Sequence, residues 1–74
     1  MEHERLKKAI DSVWNNGCVI YRTHFSNGTT WIEVFNPFWE CMLHEQFTTG
    51  ATDVQCEYIE KTMSQWLGKP TKEV

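Results

Sequence analysis

The sequence has no block of basic residues. Seven Lys and Arg are scattered against ten Asp and Glu, for a formal charge of -3, and Lys7 and Lys8 are the only adjacent pair. Phosphate neutralisation supplies most of the non-specific affinity for nucleic acid, so an acidic chain without a basic stripe is a poor candidate for wrapping a duplex. No apolar run approaches the roughly 18 residues needed to cross a bilayer. The opening stretch MEHERLKKAID is charged and carries no sign of a secretory leader. Cysteine is sparse and odd in number (Cys18, Cys41, Cys56), with no CxxC or HxxxH pair. Reduced thiols in a cytoplasmic, non-membrane protein are therefore the expectation. Repeats, low-complexity tracts, linkers and catalytic or cofactor signatures are missing too. With 74 residues there is room for one domain, 1–74, with frayed ends at 1–3 and 69–74 and no deep substrate cleft. Any function must then sit on the surface.

What the chain does have is aromatic bulk, four Trp, four Phe and two Tyr. A domain this small buries only roughly 60% of its unfolded surface, so large side chains are needed to stabilise it. Those left over on the surface point to a partner.

The spacing predicts a first helix over 4–14. Leu6, Ala9, Ile10, Val13 and Trp14 recur at three and four, Glu4 and Lys8 can pair on the other face, and Asn15-Asn16-Gly17 tolerates the left-handed conformation at a helix end. CVIYRTHF and TTWIEVF then read as strands joined through Ser26-Asn27-Gly28-Thr29. Asn-Gly suits a two-residue type I′ turn. With that turn His24 lies opposite Trp31, Arg22 opposite Glu33 and Ile20 opposite Phe35. One face would carry Val19, Tyr21, Thr23, Phe25, Thr30, Ile32 and Val34 over a core. The other would carry Ile20, Arg22, His24, Trp31, Glu33 and Phe35.

After Phe35 two readings compete. Asn36-Pro37 is a good helix start, with Trp39, Met42, Leu43, Gln46 and Phe47 near helical spacing, and this reading is favoured. The alternation of Trp39, Cys41, Leu43 and Phe47 suits a third strand after a turn at Asn36 to Trp39. Thr52 and Gln55 resemble a capping box opening a last helix, with Cys56, Ile59, Met63, Trp66 and Leu67 as its apolar stripe, a Glu57–Lys61 pair, and Gly68 and Pro70 ending it. The fold class expected is α+β: two terminal helices packed on the apolar face of an antiparallel hairpin, or of three strands.

Helix, three strands, helix would have the topology of double-stranded RNA-binding domains. Those domains straddle phosphates with a basic N-terminus on the last helix, whereas here that helix opens Thr52-Asp53-Val54-Gln55, and topology alone carries no function.

The candidate sites weigh unequally. Cys41 and His44, three apart, could share a metal on a helix, but a structural zinc needs two more ligands converging from Cys18, Cys56, His3 or His24. As nucleophile and base the same pair lacks an orienting group, an oxyanion site and a pocket; Glu40 could simply pair with His44. No enzyme, metal or cofactor is expected. The mixed hairpin face, Trp31 with His24, Arg22, Glu33 and Phe35, is the expected binding patch for a protein target, because aromatic and Arg side chains dominate interfaces. Small acidic chains without catalytic groups often regulate or inhibit a larger protein, including those of bacteriophages and other mobile elements. Three alternatives remain: a homodimer through the hairpin edge, single-stranded nucleic acid stacking on Trp31, and a small zinc domain.

Overall fold

In the computed structural model, which describes residues 2–68 and side chains from residue 4 onward, helix α1 spans Glu2–Asn15. Its three-and-four spacing buries Ala9 and Val13 and half-buries Leu6 and Ile10. Gly17, at φ 77°, ends it: the Gly17 N–H donates to the Trp14 carbonyl and the Cys18 N–H to the Val13 carbonyl, both at 3.0 Å, which satisfies two of the carbonyls left open at the helix end. The Glu4–Lys8 pair expected on this helix gives way to others. Lys7 pairs with Asp11, and the Arg5 guanidinium grips Glu60 through two bonds of 2.8 and 3.0 Å, tying α1 to the last helix.

Three antiparallel strands follow in the order β1-β2-β3: β1 is Val19–His24, β2 Thr29–Phe35 and β3 Cys41–Thr48. The helix favoured for residues 37–47 does not form. Asn36 does act as a cap would, accepting from the Phe38 and Glu40 N–H groups at 2.9 Å each, but the chain turns back into a strand. The reason is tertiary. As a strand, this segment pairs the otherwise open edge of β2 and directs Leu43 and Phe47 into the core, which outweighs local helical spacing.

The first hairpin also departs from expectation. Its loop has three residues, Ser26-Asn27-Gly28, not two. Gly28 alone adopts positive φ, at 85°, with its N–H bonded to the Phe25 carbonyl and the Phe25 N–H bonded to Thr29. Asn27 instead uses its side-chain oxygen to accept from the backbone and hydroxyl of Thr29. This is a type I turn followed by a left-handed glycine. The extra loop residue shifts the pairing by one: Arg22 faces Ile32, Thr23 faces Trp31 and His24 faces Thr30. A one-residue slip turns a whole strand over, and here β1 is the strand that turns. Ile20, Arg22 and His24 join Thr30, Ile32 and Val34 on the core side, and Tyr21 and Thr23 go outward.

Helix α2, Thr52–Leu67, completes the layer. Its N-cap is Ala51, with no side-chain cap, so the Thr52–Gln55 capping box is not made. Buried Gln55 donates instead to the Thr48 and Thr49 carbonyls, fastening the turn between β3 and α2. Ile59, Met63 and Cys56 are buried, Trp66 is half-buried and Leu67 is exposed. Both helices pack on the same side of the sheet, α1 against β1 and α2 against β3. The core of this α+β fold consists of Val13, Cys18, Ile20, Ile32, Val34, Leu43, Phe47, Ile59 and Met63 with their neighbours. The frayed tail expected at 69–74 lies outside the described residues, as does Met1; residues 2 and 3 belong to α1.

Candidate functional site

Because both helices cover one face of the sheet, the alternation of the strands sends the other side chains to a face with no helix on it. From β2 these are Trp31, Glu33 and Phe35, where the sequence led one to expect them. From β1 they are Tyr21, Thr23 and also Val19, which lies opposite Phe35 and not on the core side as expected, and from β3 His44 and Gln46. The loops add Phe25 before the first turn, beside Trp31, and Trp39 in the second, beside Phe35; Phe38, next to Trp39 in the chain, is exposed as well. Tyr21 and Phe25 are each 49% exposed, Trp39 65% and Phe38 76%, an unusual amount of aromatic surface for so small a chain.

Two members of the expected patch, Arg22 and His24, do not belong to it. The shifted register carries both to the helix side, so the proposed Arg22–Glu33 pair and the packing of His24 on Trp31 are absent. His24 Nδ1 lies 2.8 Å from the Thr30 hydroxyl, which in turn lies 2.9 Å from that of Thr49. Arg22 is half-buried, and its Nε has no hydrogen-bond partner among the described residues.

His44 takes both vacated roles. Its ring meets the Trp31 indole edge-to-face at 4.5 Å, and its Nε2 lies 3.4 Å from a Glu33 carboxylate oxygen. Glu40, the partner suggested for His44, instead accepts from the Asn36 side-chain amide at 2.8 Å. Around this centre the rings form two groups. Tyr21 packs edge-on to Phe35 at 6.0 Å, and Phe35 meets Trp39 at 6.1 Å. At the other end Phe25 and Trp31 border a shallow hollow with Asn27, Thr29 and Gln46.

Trp39 is held at φ 66°, the one left-handed residue other than glycine among those described. The second hairpin repeats the hydrogen bonding of the first, with the Asn36 N–H on the Glu40 carbonyl and the Trp39 N–H on the Asn36 carbonyl. Trp39 thus stands where Gly28 stands in the first loop. A bulky side chain in this conformation is strained, and such strain gathers at functional positions.

Cys41 and His44 are not brought together as a site. A bulge between Val34 and Phe35 breaks the alternation near Cys41, which borders a hollow against Thr62, Gln65 and Trp66, while His44 packs on Trp31. Among the described residues no group of three or more His, Cys, Asp or Glu could hold a metal ion, and no helix is long and apolar enough to cross a membrane. Cys18 and Cys56 are buried, and burial pushes the Cys18 thiol pKa up, away from the thiolate a nucleophile would need.

Comparison with protein families, curated proteins and solved structures finds no match to this chain.

Sequence reasoning missed Tyr21, Phe25, Trp39 and the role of His44. The signal for the first two was the triplet Ser26-Asn27-Gly28, which fits a three-residue loop as well as Asn-Gly fits a two-residue one.

Proposed function

We propose that this chain is a non-catalytic protein-binding module that regulates or inhibits a larger protein through the helix-free face of its sheet. The observation that carries the reading is the composition of that face: Tyr21, Phe25, Trp31, Phe35 and Trp39 lie on it, and no Lys or Arg projects from its strands. An antiparallel sheet with one face in water normally alternates apolar-in with polar-out, and aromatics on the outer side are what interface centres use.

The same composition argues against nucleic acid. A stacking platform needs cations for the phosphates. The one arginine of the hairpin is on the helix side, and the outer face carries Glu33 in the middle.

The test is affinity capture from the source extract with the wild-type chain and with a Tyr21→Ala/Trp39→Ala variant whose fold is verified by NMR, followed by reconstitution with the purified captured protein. Each truncated anchor is worth about 2 kcal/mol if it lies at an interface centre. The wild type should bind the purified protein and the variant should not, while Trp14→Ala on the helical side retains binding. Equal binding by the double variant would refute the reading.

A further inference from the structure

We infer that the partner segment occupying this face is cationic and apolar, with a Lys or Arg seated on Glu33 between two apolar anchors. This deepens the protein-binding reading and rests on it.

Trp31, Glu33 and Phe35 are alternate residues, so at ~3.3 Å per residue the two rings stand about 13 Å apart with the carboxylate midway. Each ring belongs to its own aromatic group, one with Phe25 and one with Tyr21 and Trp39. The face therefore offers two apolar stations separated by an anionic one.

The carboxylate is incompletely matched by the protein itself. Its only ionic partner among the described residues is His44, at 3.4 Å, and an imidazole is charged only when protonated. Covering an aromatic face with an apolar partner would strip water from Glu33, and an unpaired charge in a dry interface is costly. A Lys or Arg from the partner removes that cost and can also lie against the neighbouring rings. The chain's net charge of -3 favours the same sign of partner during encounter.

A second copy of this chain does not fit as well. Two such faces brought together would set Glu33 against the other copy's acidic centre, with no Lys or Arg projecting from either set of strands. Single-stranded nucleic acid meets the same carboxylate with phosphates.

The experiment selects peptides of about 15 residues from a random display library on the immobilised wild-type chain and measures one synthetic winner by calorimetry. Winners are expected to share a Lys or Arg flanked by apolar residues. Glu33→Gln should weaken the winner at least about ten-fold, and Glu33→Lys should abolish binding, which returns when the peptide's basic residue is changed to Glu. NMR spectra of the free variants verify folding; if Glu33→Lys fails to fold, the Glu33→Gln loss decides. Three results would overturn the inference: winners without basic residues, affinity indifferent to both Glu33 variants, or sedimentation showing that a second copy takes the face. Loss of peptide binding in Tyr21→Ala with indifference to Glu33 would sink the charge argument and leave the docking face standing. Binding of a single-stranded oligonucleotide through Trp31 would overturn both.

Discussion

Replacing Trp39 by glycine and, separately, by alanine separates the cost of the second loop's backbone from the value of the indole. Trp39 sits at φ 66° and its ring meets that of Phe35, tilted at 55° and 6.1 Å, with 65% of the residue exposed. Both substitutions lose that contact. For a tilted, largely solvated pair this costs about 0.5 kcal/mol, the low end for aromatic pairs. Alanine keeps the left-handed conformation, whose cost for an L-residue is roughly 1–2 kcal/mol. Glycine relieves that cost but loses roughly 0.5–1 kcal/mol through the freedom it gains in the unfolded chain.

Glycine at 39 should therefore be more stable than alanine at 39 by about 0.5–1 kcal/mol, and equal to or slightly above the wild type. In thermal melts of a domain this size the two variants should separate by about 3–6 °C, with urea midpoints in the same order. Alanine as stable as glycine would mean that the loop does not hold residue 39 left-handed. Both variants falling more than about 2 kcal/mol below wild type would mean the indole is packed, in the range of core truncations. Partner binding should fall equally in the two, because binding depends on the ring and not on the backbone.

Two further perturbations test other joints of the fold. Asn36→Ala removes the acceptor for the Phe38 and Glu40 N–H groups from a residue only 3% exposed, and should cost about 2 kcal/mol in denaturant unfolding; a loss under about 0.5 kcal/mol would show that water replaces it. The hydrogen bond from Arg5 holds the Glu60 carboxyl below its ordinary pKa, so the stability from this pair is complete above the ordinary Glu range, near pH ~4.3, and is lost as pH falls through the depressed folded value. Wild type should lose more of its urea midpoint than Glu60→Gln on acidification at low salt, and parallel curves for the two would contradict the assignment.

How much of this was legible in the sequence depends on how strongly each segment constrains its own pattern. The two helices were readable because Ala9, Val13, Ile59 and Met63 fall on one stripe, and Gly17 ends the first where a left-handed residue was expected. In TTWIEVF the alternation fixes which side is buried, so the sequence places Trp31, Glu33 and Phe35 on one face, and the structure does the same. In β1, Val19, Ile20 and Tyr21 are consecutive and apolar, so either face could serve as the core, and the assignment of Arg22 and His24 rested on the loop length alone. Loops of two and of three residues both fit Ser26-Asn27-Gly28-Thr29, and the structure takes the longer one, which moves the pairing by one residue. The third strand was hidden for a different reason. Its core contacts, Leu43 and Phe47, are four apart, a spacing that suits both a helix and a strand, and only pairing with β2 decides between them.

The one-residue difference in the first loop also changes what the outer face can recognise. With a two-residue turn the face would have held a fixed cation beside Glu33, a self-neutralised centre with little sign to offer a partner. With the three-residue loop Arg22 leaves, Tyr21 replaces it, and among the described residues Glu33 keeps His44 as its one ionic partner. The second loop points the same way. Where the first hairpin uses Gly28 at the left-handed position, the second keeps Trp39 there at an energetic cost, although glycine would fit with no strain. A ring retained in a costly conformation, mostly in solvent, and meeting Phe35 at 6.1 Å does little for the folded monomer. In the proposed binding mode it would extend the aromatic surface past the end of the strands, beyond Glu33.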